Sequence, residues 1–96
     1  MLESKIEDYL VKRVKALGGA CDKLVMLNRK GNPDRWCFFP SGFLLIVELK
    51  KKGEKPTVLQ QRRIAELRGL GQVVEVADSI EAVDDLFTKY KERIKA

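Results

Sequence analysis

The sequence predicts an α/β fold in which helices flank a mixed four-stranded sheet, with the elements in the order α-β-β-β-α-β-α. Amphipathic helical stripes begin and end the chain, and three short apolar segments follow one another around turns between them. A further helical segment separates the third apolar segment from a fourth, so the fourth strand returns by a crossover. The chain of 96 residues is long enough for one domain, which we expect to span residues 1–96.

The individual elements follow from periodicity and turn residues. Ile6, Leu10 and Val14 form the stripe of a helix over residues 2–17, which the glycines at 18 and 19 end. The segment 40–42, Pro-Ser-Gly, predicts a tight hairpin turn. Asp78 and Glu81 predict a capping box for the last helix. The predicted strands cover residues 23–27, 34–39, 43–49 and 72–76, and the two later helices cover 57–68 and 79–95.

Composition excludes several classes of site. The sequence has no histidine, so Ser-His-Asp triads, Cys-His pairs and histidine zinc sites are excluded. Cys21 and Cys37 are too few for a disulfide framework, and we interpret them as small buried side chains. No segment is apolar enough for a membrane span and no signal peptide pattern is present, so we expect a cytoplasmic protein. The net charge of +5 suits a polyanionic partner such as nucleic acid.

Charged residues interrupt the most apolar part of the chain. Glu48 and Lys50 end the third predicted strand, and alternation places both on one face, with functional groups about 7 Å apart. Hairpin register places Asp34 opposite position 48 within about one residue. Two close carboxylates repel unless a cation lies between them, and Mg²⁺ prefers such ligands together with water and phosphate. With Lys50 alongside, the group suits phosphodiester hydrolysis. The alternative is a solvated Glu48–Lys50 ion pair, with Asp34 as a turn cap.

These residues resemble a known signature. Pro33-Asp34 followed by Glu48-Leu49-Lys50 is similar to the PD-(D/E)xK nuclease motif. The order of Gly-x-Pro-Asp, a hairpin, Val-Glu-Leu-Lys, Gln60 at the start of a helix, and a Leu-x-x-x-Gly segment resembles the VRR-NUC domain, the virus-type replication-repair nuclease branch. The resemblance covers essentially the whole chain, as a minimal stand-alone form. Arg35 departs from it, since many members carry an apolar residue there.

The resemblance implies a restriction-endonuclease-like core, dependence on Mg²⁺ or Mn²⁺, and cleavage of DNA inside a bacterial or virus-infected host cell. Short viral and bacterial members act as homo-oligomers on branched DNA such as Holliday junctions, so we expect a homodimer, with no membrane and no nucleotide cofactor. By position, Asp34 and Glu48 would be metal ligands, Lys50 the catalytic lysine, and Gln60 a neighbour that holds water or phosphate. An acidic residue of the first helix would join them, with Glu7 the first choice and Glu3 the second.

Each of these residues also has a structural interpretation. Gln60 forms a capping box with Thr57, and Glu7 suits a solvated helix face. Trp36 suits core packing better than insertion into DNA. The expected DNA-binding cations, which are also typical of a solvated surface, are Lys51, Lys52, Lys55, Arg62 and Arg63. A flap or nicking nuclease and a non-catalytic basic DNA-binding module are the alternative functions.

Overall fold

A computed structural model of the protein describes residues 2–24 and 30–95, and its element order confirms the predicted α/β arrangement. In chain order the elements are α1 (Glu3–Ala16), β1 (Ala20–Asp22), β2 (Arg35–Phe38), β3 (Leu44–Leu49), α2 (Val58–Gly69), β4 (Val73–Ala77), α3 (Ile80–Lys89) and α4 (Lys91–Lys95). The structure shows no helix, within these residues, that has the length and apolar character needed to cross a membrane.

The four strands lie in the order β1-β2-β3-β4 in one sheet. β1 pairs with β2 and β2 pairs with β3 in antiparallel fashion, whereas β4 runs parallel to β3. The predicted crossover by α2 is therefore confirmed. In consequence, the start of β2 and the carboxyl ends of β3 and β4 lie at the same end of the sheet.

Hydrophobic clusters cover both faces of the sheet. On one face, α1 and α3 pack against the sheet and each other, and the buried side chains there include Ile6, Leu10, Leu45, Val47 and Phe87. On the other face α2 packs on the sheet through a smaller cluster of Ile46, Ile64, Leu67 and Val74, with Trp36 and Leu44 packed against it. Because side chains alternate along a strand, Glu48 follows Ile46 on the face that α2 covers.

The first strand lies earlier in the chain than predicted. The apolar residues at 23–27 predict a strand, but β1 is Ala20–Asp22, directly after the glycine turn, and residues 23 and 24 lie outside any strand. Residues 25–27 of the prediction lie outside the described residues. Cys21 is buried opposite Cys37 in this pairing, and both thiols are free, so their interpretation as buried side chains is confirmed.

The end of the chain also differs from the prediction. The predicted helix over 79–95 is divided at Tyr90, whose backbone closes α3 before α4 begins. Ser79, rather than Asp78, caps α3 by accepting a hydrogen bond from the backbone N–H of Ala82. The Asp78 carboxylate instead accepts a hydrogen bond from the N–H of Gly53, 3.2 Å away. The predicted capping box of Asp78 and Glu81 is therefore wrong, because the cap is Ser79 and the residue three positions later, Ala82, has no side-chain acceptor that could return the bond.

Candidate active site

Two strand ends bring Asp34 next to Glu48. β2 and β3 pair Arg35 with Val47, so Asp34, one residue before β2, lies beside Glu48 as the hairpin register predicts. The Asp34 Oδ2 atom accepts a hydrogen bond from the N–H of Leu49 at 3.1 Å. This bond continues the sheet ladder with a side-chain oxygen where a backbone carbonyl would stand. Asp34 is thereby fixed against the end of β3.

Glu48 is a buried carboxylate without hydrogen-bond donors. Its residue surface is 1% exposed, and among the described residues neither carboxylate oxygen accepts a hydrogen bond. Burial, together with the nearby charge of Asp34, raises the pKa of Glu48 to about 7, although the Lys50 ammonium acts in the opposite direction. A buried carboxylate that accepts no hydrogen bond is costly to the fold, which is typical of a group kept for binding or chemistry.

Lys50 is the nearest cation to this carboxylate within the described part of the chain. Its Nζ atom lies 3.1 Å from Glu48 Oε2, an ion pair outside hydrogen-bond geometry, and 3.8 Å from Glu54 Oε1. Lys50 is 8% exposed, so the charge pair is largely shielded from water. The predicted separation of about 7 Å, taken from the strand rise, is wrong because the long side chains bend toward each other beyond the end of β3. The solvated ion pair of the alternative interpretation does not fit this burial.

The donor set suits a hard divalent cation. Mg²⁺ takes one or two carboxylates and completes its shell with water and phosphate oxygens. The oxygens of Glu48 have free lone pairs beside a second carboxylate, which is the arrangement that a cation would stabilise. Residues 2–24 and 30–95 contain no group of three or more His, Cys, Asp or Glu side chains able to hold a metal ion, so a site here would have two protein carboxylates.

Glu7 is not brought to this pair. Its Oε2 atom accepts a hydrogen bond from Arg35 Nε at 3.0 Å, and Lys23 Nζ lies 3.9 Å away. Arg35 pairs with Val47, which belongs to the cluster under α1, so this ion pair lies on the face of the sheet opposite to Glu48. The structure therefore does not assemble the three-carboxylate site that the resemblance implies. Glu3, the second choice, is exposed in the first turn of α1.

Arg35, the departure from the family pattern, has clear partners. Besides Glu7, its guanidinium donates to the backbone carbonyl of Cys21 at 3.0 Å. An arginine at this position therefore ties α1, β1 and the start of β2 together. Arg35 therefore holds the start of β2 through hydrogen bonds, whereas an apolar residue at this position would hold it through packing in the core.

The predicted capping box at the start of α2 is confirmed. The N–H of Thr57 donates to Gln60 Oε1 at 2.9 Å, and the N–H of Gln60 donates to Thr57 Oγ1 at 3.2 Å. The amide oxygen of Gln60 is therefore engaged by the helix end. A contact of Gln60 with water or phosphate at the site stays a prediction.

The expected DNA-binding cations divide into two groups. Lys51, Lys52, Lys55 and Arg62 are exposed around the loop that follows β3 and on α2. The Arg63 side chain is only 11% exposed and pairs with Glu66 and with Asn32. Exposed cations near Lys50 suit a phosphate backbone, whereas Arg63 is engaged within the protein.

Two contributions to the site were not found from the sequence. Asp78 holds the turn of the basic loop through the N–H of Gly53, and Arg63 binds the loop before Asp34 through Asn32. Both contacts join residues far apart in the sequence. The capping pattern had predicted a helix cap at Asp78, and the charge pattern had predicted a DNA contact at Arg63. Trp36 packs against the cluster under α2 as predicted, although its indole N–H is buried without a partner in the described residues.

Comparison with known proteins agrees with this geometry. No family model matches the chain. A curated relative, "Putative nuclease p44" of Acyrthosiphon pisum secondary endosymbiont phage 1, is 46% identical over 77 residues, which are 80% of this chain and 83% of the relative. A solved structure titled "VRR_NUC domain" superposes with a TM-score of 0.87 at 35% identity, over 92% of this chain and 96% of that one.

The chain belongs to the VRR-NUC family. The resemblance drawn from the Pro-Asp and Glu-x-Lys motifs is thereby confirmed, and so is the VRR-NUC fold. In this VRR-NUC protein the motif residues Asp34, Glu48 and Lys50 are the ones that the strand ends bring together.

Proposed function

We propose that this VRR-NUC protein is an endonuclease that hydrolyses DNA with a divalent ion, Mg²⁺ or Mn²⁺, held by Asp34 and Glu48. The observation that carries the proposal is the Glu48 carboxylate, which is 1% exposed and accepts no hydrogen bond within the described residues. A divalent metal ion would satisfy the carboxylate oxygens, which the single Lys50 ammonium leaves without a hydrogen bond. Family membership supports the same conclusion, since the curated relative carries the name of a nuclease.

A divalent ion at this position would supply a nucleophilic water at neutral pH and stabilise charge on the phosphate. The protein itself supplies the rest of the chemistry. Lys50 presents a shielded ammonium 3.1 Å from Glu48, where it can hold the scissile phosphate or exchange a proton with the attacking water. Gln60 would help to orient water or phosphate from the start of α2.

Exposed cations would hold the DNA backbone beside this site. Four exposed cations follow Lys50 in the sequence: Lys51, Lys52, Lys55 and Arg62. Contacts of this kind neutralise phosphates without reading bases, so affinity should fall steeply with salt and depend little on sequence. Recognition of DNA shape follows from such a surface.

We propose branched DNA, with Holliday junctions first, as the substrate. One copy of the chain offers one Asp34–Glu48 pair, and symmetric cleavage of a four-way junction requires two sites related by a two-fold axis. The acting species would therefore be a homodimer. A flap or nicking nuclease would need only one site and would act as a monomer.

A substrate panel tests the proposal. Purified protein is mixed with four-way junctions, flaps, duplexes and single strands in Mg²⁺, Mn²⁺ or EDTA, and its mass is measured in solution. We expect paired junction cuts by a dimer, lost in EDTA and in Glu48→Gln. Glu54→Gln is the matched control, since Glu54 also faces Lys50 but is 39% exposed, and this variant should keep cleaving. DNA binding without cleavage in either metal would contradict the proposal and favour a binding module.

A further inference from the structure

Two contacts attach α2 to the loop that leads into Asp34. Arg63 Nε donates a hydrogen bond to the side-chain oxygen of Asn32 at 2.7 Å. One residue earlier, Gly31 lies so close to α2 that a Cβ atom there would stand 2.9 Å from the carbonyl oxygen of Leu59. Gly31 also has a φ of +79°, a conformation that favours glycine. The helix therefore fixes the loop at consecutive residues.

This attachment is transmitted to Asp34 through a short and stiff segment. Only Pro33 separates Asn32 from Asp34, and its ring fixes φ while its side chain is buried. Movement of Asn32 would therefore displace Asp34 from its hydrogen bond with the N–H of Leu49. Because Asp34 and Glu48 repel each other, the loop needs an external restraint to keep the two carboxylates together.

We propose that Arg63 is a positioning residue, which holds Asp34 in place for the divalent ion by binding Asn32, and is not a contact to DNA. Its side chain is 11% exposed and ion-paired with Glu66, so a phosphate would have to displace existing partners. The neighbouring Arg62 is exposed and suits that contact better. The inference rests on the proposed function, since it requires the Asp34–Glu48 metal site.

Positioning residues of this kind alter metal affinity more than DNA affinity. Removing a residue that orients a metal ligand typically weakens metal binding about 10- to 100-fold. We therefore expect Arg63→Met to weaken Mn²⁺ binding roughly 10-fold or more. Asn32→Ala removes the other half of the same hydrogen bond and should have a similar effect. The double variant should bind Mn²⁺ only slightly more weakly than the single variant with the lower Mn²⁺ affinity, because both substitutions remove the same Arg63–Asn32 hydrogen bond.

Mn²⁺ binding to the DNA-free protein, followed by electron paramagnetic resonance, is the first measurement. DNA affinity in EDTA is the second, and circular dichroism checks that each variant is folded. Arg62→Met is the matched control. We expect it to keep the wild-type Mn²⁺ affinity while lowering DNA affinity, and Arg63→Met to show the opposite pattern.

The outcomes separate this inference from the function on which it rests. If Asp34→Asn and Glu48→Gln leave Mn²⁺ affinity unchanged, the metal site itself is wrong. If those two variants lose Mn²⁺ while Arg63→Met and Asn32→Ala keep it, only the positioning role is overturned. Additive losses in the double variant, or a loss of DNA affinity by Arg63→Met with normal Mn²⁺ binding, would overturn it as well.

Discussion

Replacing Glu48 with glutamine should stabilise the metal-free protein while it destroys the proposed site. The wild-type carboxylate is buried, accepts no hydrogen bond in the described residues and faces the charge of Asp34. Lys50 compensates only in part, since the pKa of Glu48 remains raised despite the ammonium beside it. Glu48→Gln keeps the shape of the side chain and removes the charge.

The magnitude follows from the pKa. Glu48 titrates at about 7 in the folded protein, against an ordinary value of 4.5. At about 1.4 kcal/mol per unit, the ionised carboxylate opposes folding by roughly 3 kcal/mol above pH 7. This cost is absent below the unfolded pKa of 4.5, grows as the pH rises from there to the folded pKa of about 7, and is constant above it. A buried glutamine amide brings its own unmade hydrogen bonds, about 1 kcal/mol, so a net gain of roughly 2 kcal/mol is expected.

The assay is urea unfolding at pH 8 in EDTA, repeated at pH 4. At pH 8 the variant should exceed the wild type by about 2 kcal/mol, equivalent to roughly 8–16 °C in Tm. At pH 4, where only the cost of the glutamine amide remains, the variant should be less stable than the wild type by about 1 kcal/mol. Added Mg²⁺ at 100 times its Kd should raise wild-type stability by about 2.7 kcal/mol and leave the variant unchanged. The exposed control Glu54→Gln should change stability by less than about 0.5 kcal/mol. A variant less stable than the wild type at pH 8 would refute the reasoning.

Three further outcomes are expected. Lys50→Ala should abolish cleavage while junction affinity in EDTA stays within several-fold; normal turnover by this variant would remove the lysine from the mechanism. Although burial of Glu75 acts to raise its pKa, hydrogen bonds donated by Lys89 and Tyr90 lower it. Glu75 should therefore stabilise the fold by roughly 1–3 kcal/mol at pH 7. Above the ordinary pKa of 4.5, the free energy of unfolding of Glu75→Gln should be lower than that of the wild type by this amount. The difference between the two proteins should disappear as the pH falls through the lowered folded pKa of Glu75, and a constant difference down to pH 2 would contradict the prediction. Lys52→Ala should reduce the slope of log affinity against log salt by about 0.9 if it meets one phosphate, and an unchanged slope would exclude that contact.

The grouping of Asp34, Glu48 and Lys50 could be predicted because it depends on local geometry. Alternation along β3 places Glu48 on the face opposite to Leu45, Val47 and Leu49, and the short hairpin sets the register that brings Asp34 beside it. The capping box of Thr57 and Gln60 is also a local signal, and the structure confirms it. Patterns that act over a few residues were therefore sufficient for the strand ends.

The parts that the sequence did not reveal depend on partners distant along the chain. Arg35 donates a hydrogen bond to the carboxylate of Glu7 on the face of the sheet opposite to Glu48. Arg63 donates a hydrogen bond to Asn32, 31 positions away in the sequence. Charge and spacing cannot distinguish a solvated arginine from one held by such a partner. The predicted position of the first strand was wrong for a related reason. The position of β1 is set by its backbone pairing with β2, in which Cys21 lies opposite Cys37, and this pairing outweighs local strand propensity.

The most direct test is a crystal structure of the protein soaked in Mn²⁺, with the ion located from its anomalous signal. The expected result is a peak within direct coordination distance, about 2 Å, of carboxylate oxygens from both Asp34 and Glu48, with the Lys50 ammonium turned toward the open side of the ion. Mn²⁺ bound elsewhere, or by only one of these carboxylates, would contradict the shared metal site.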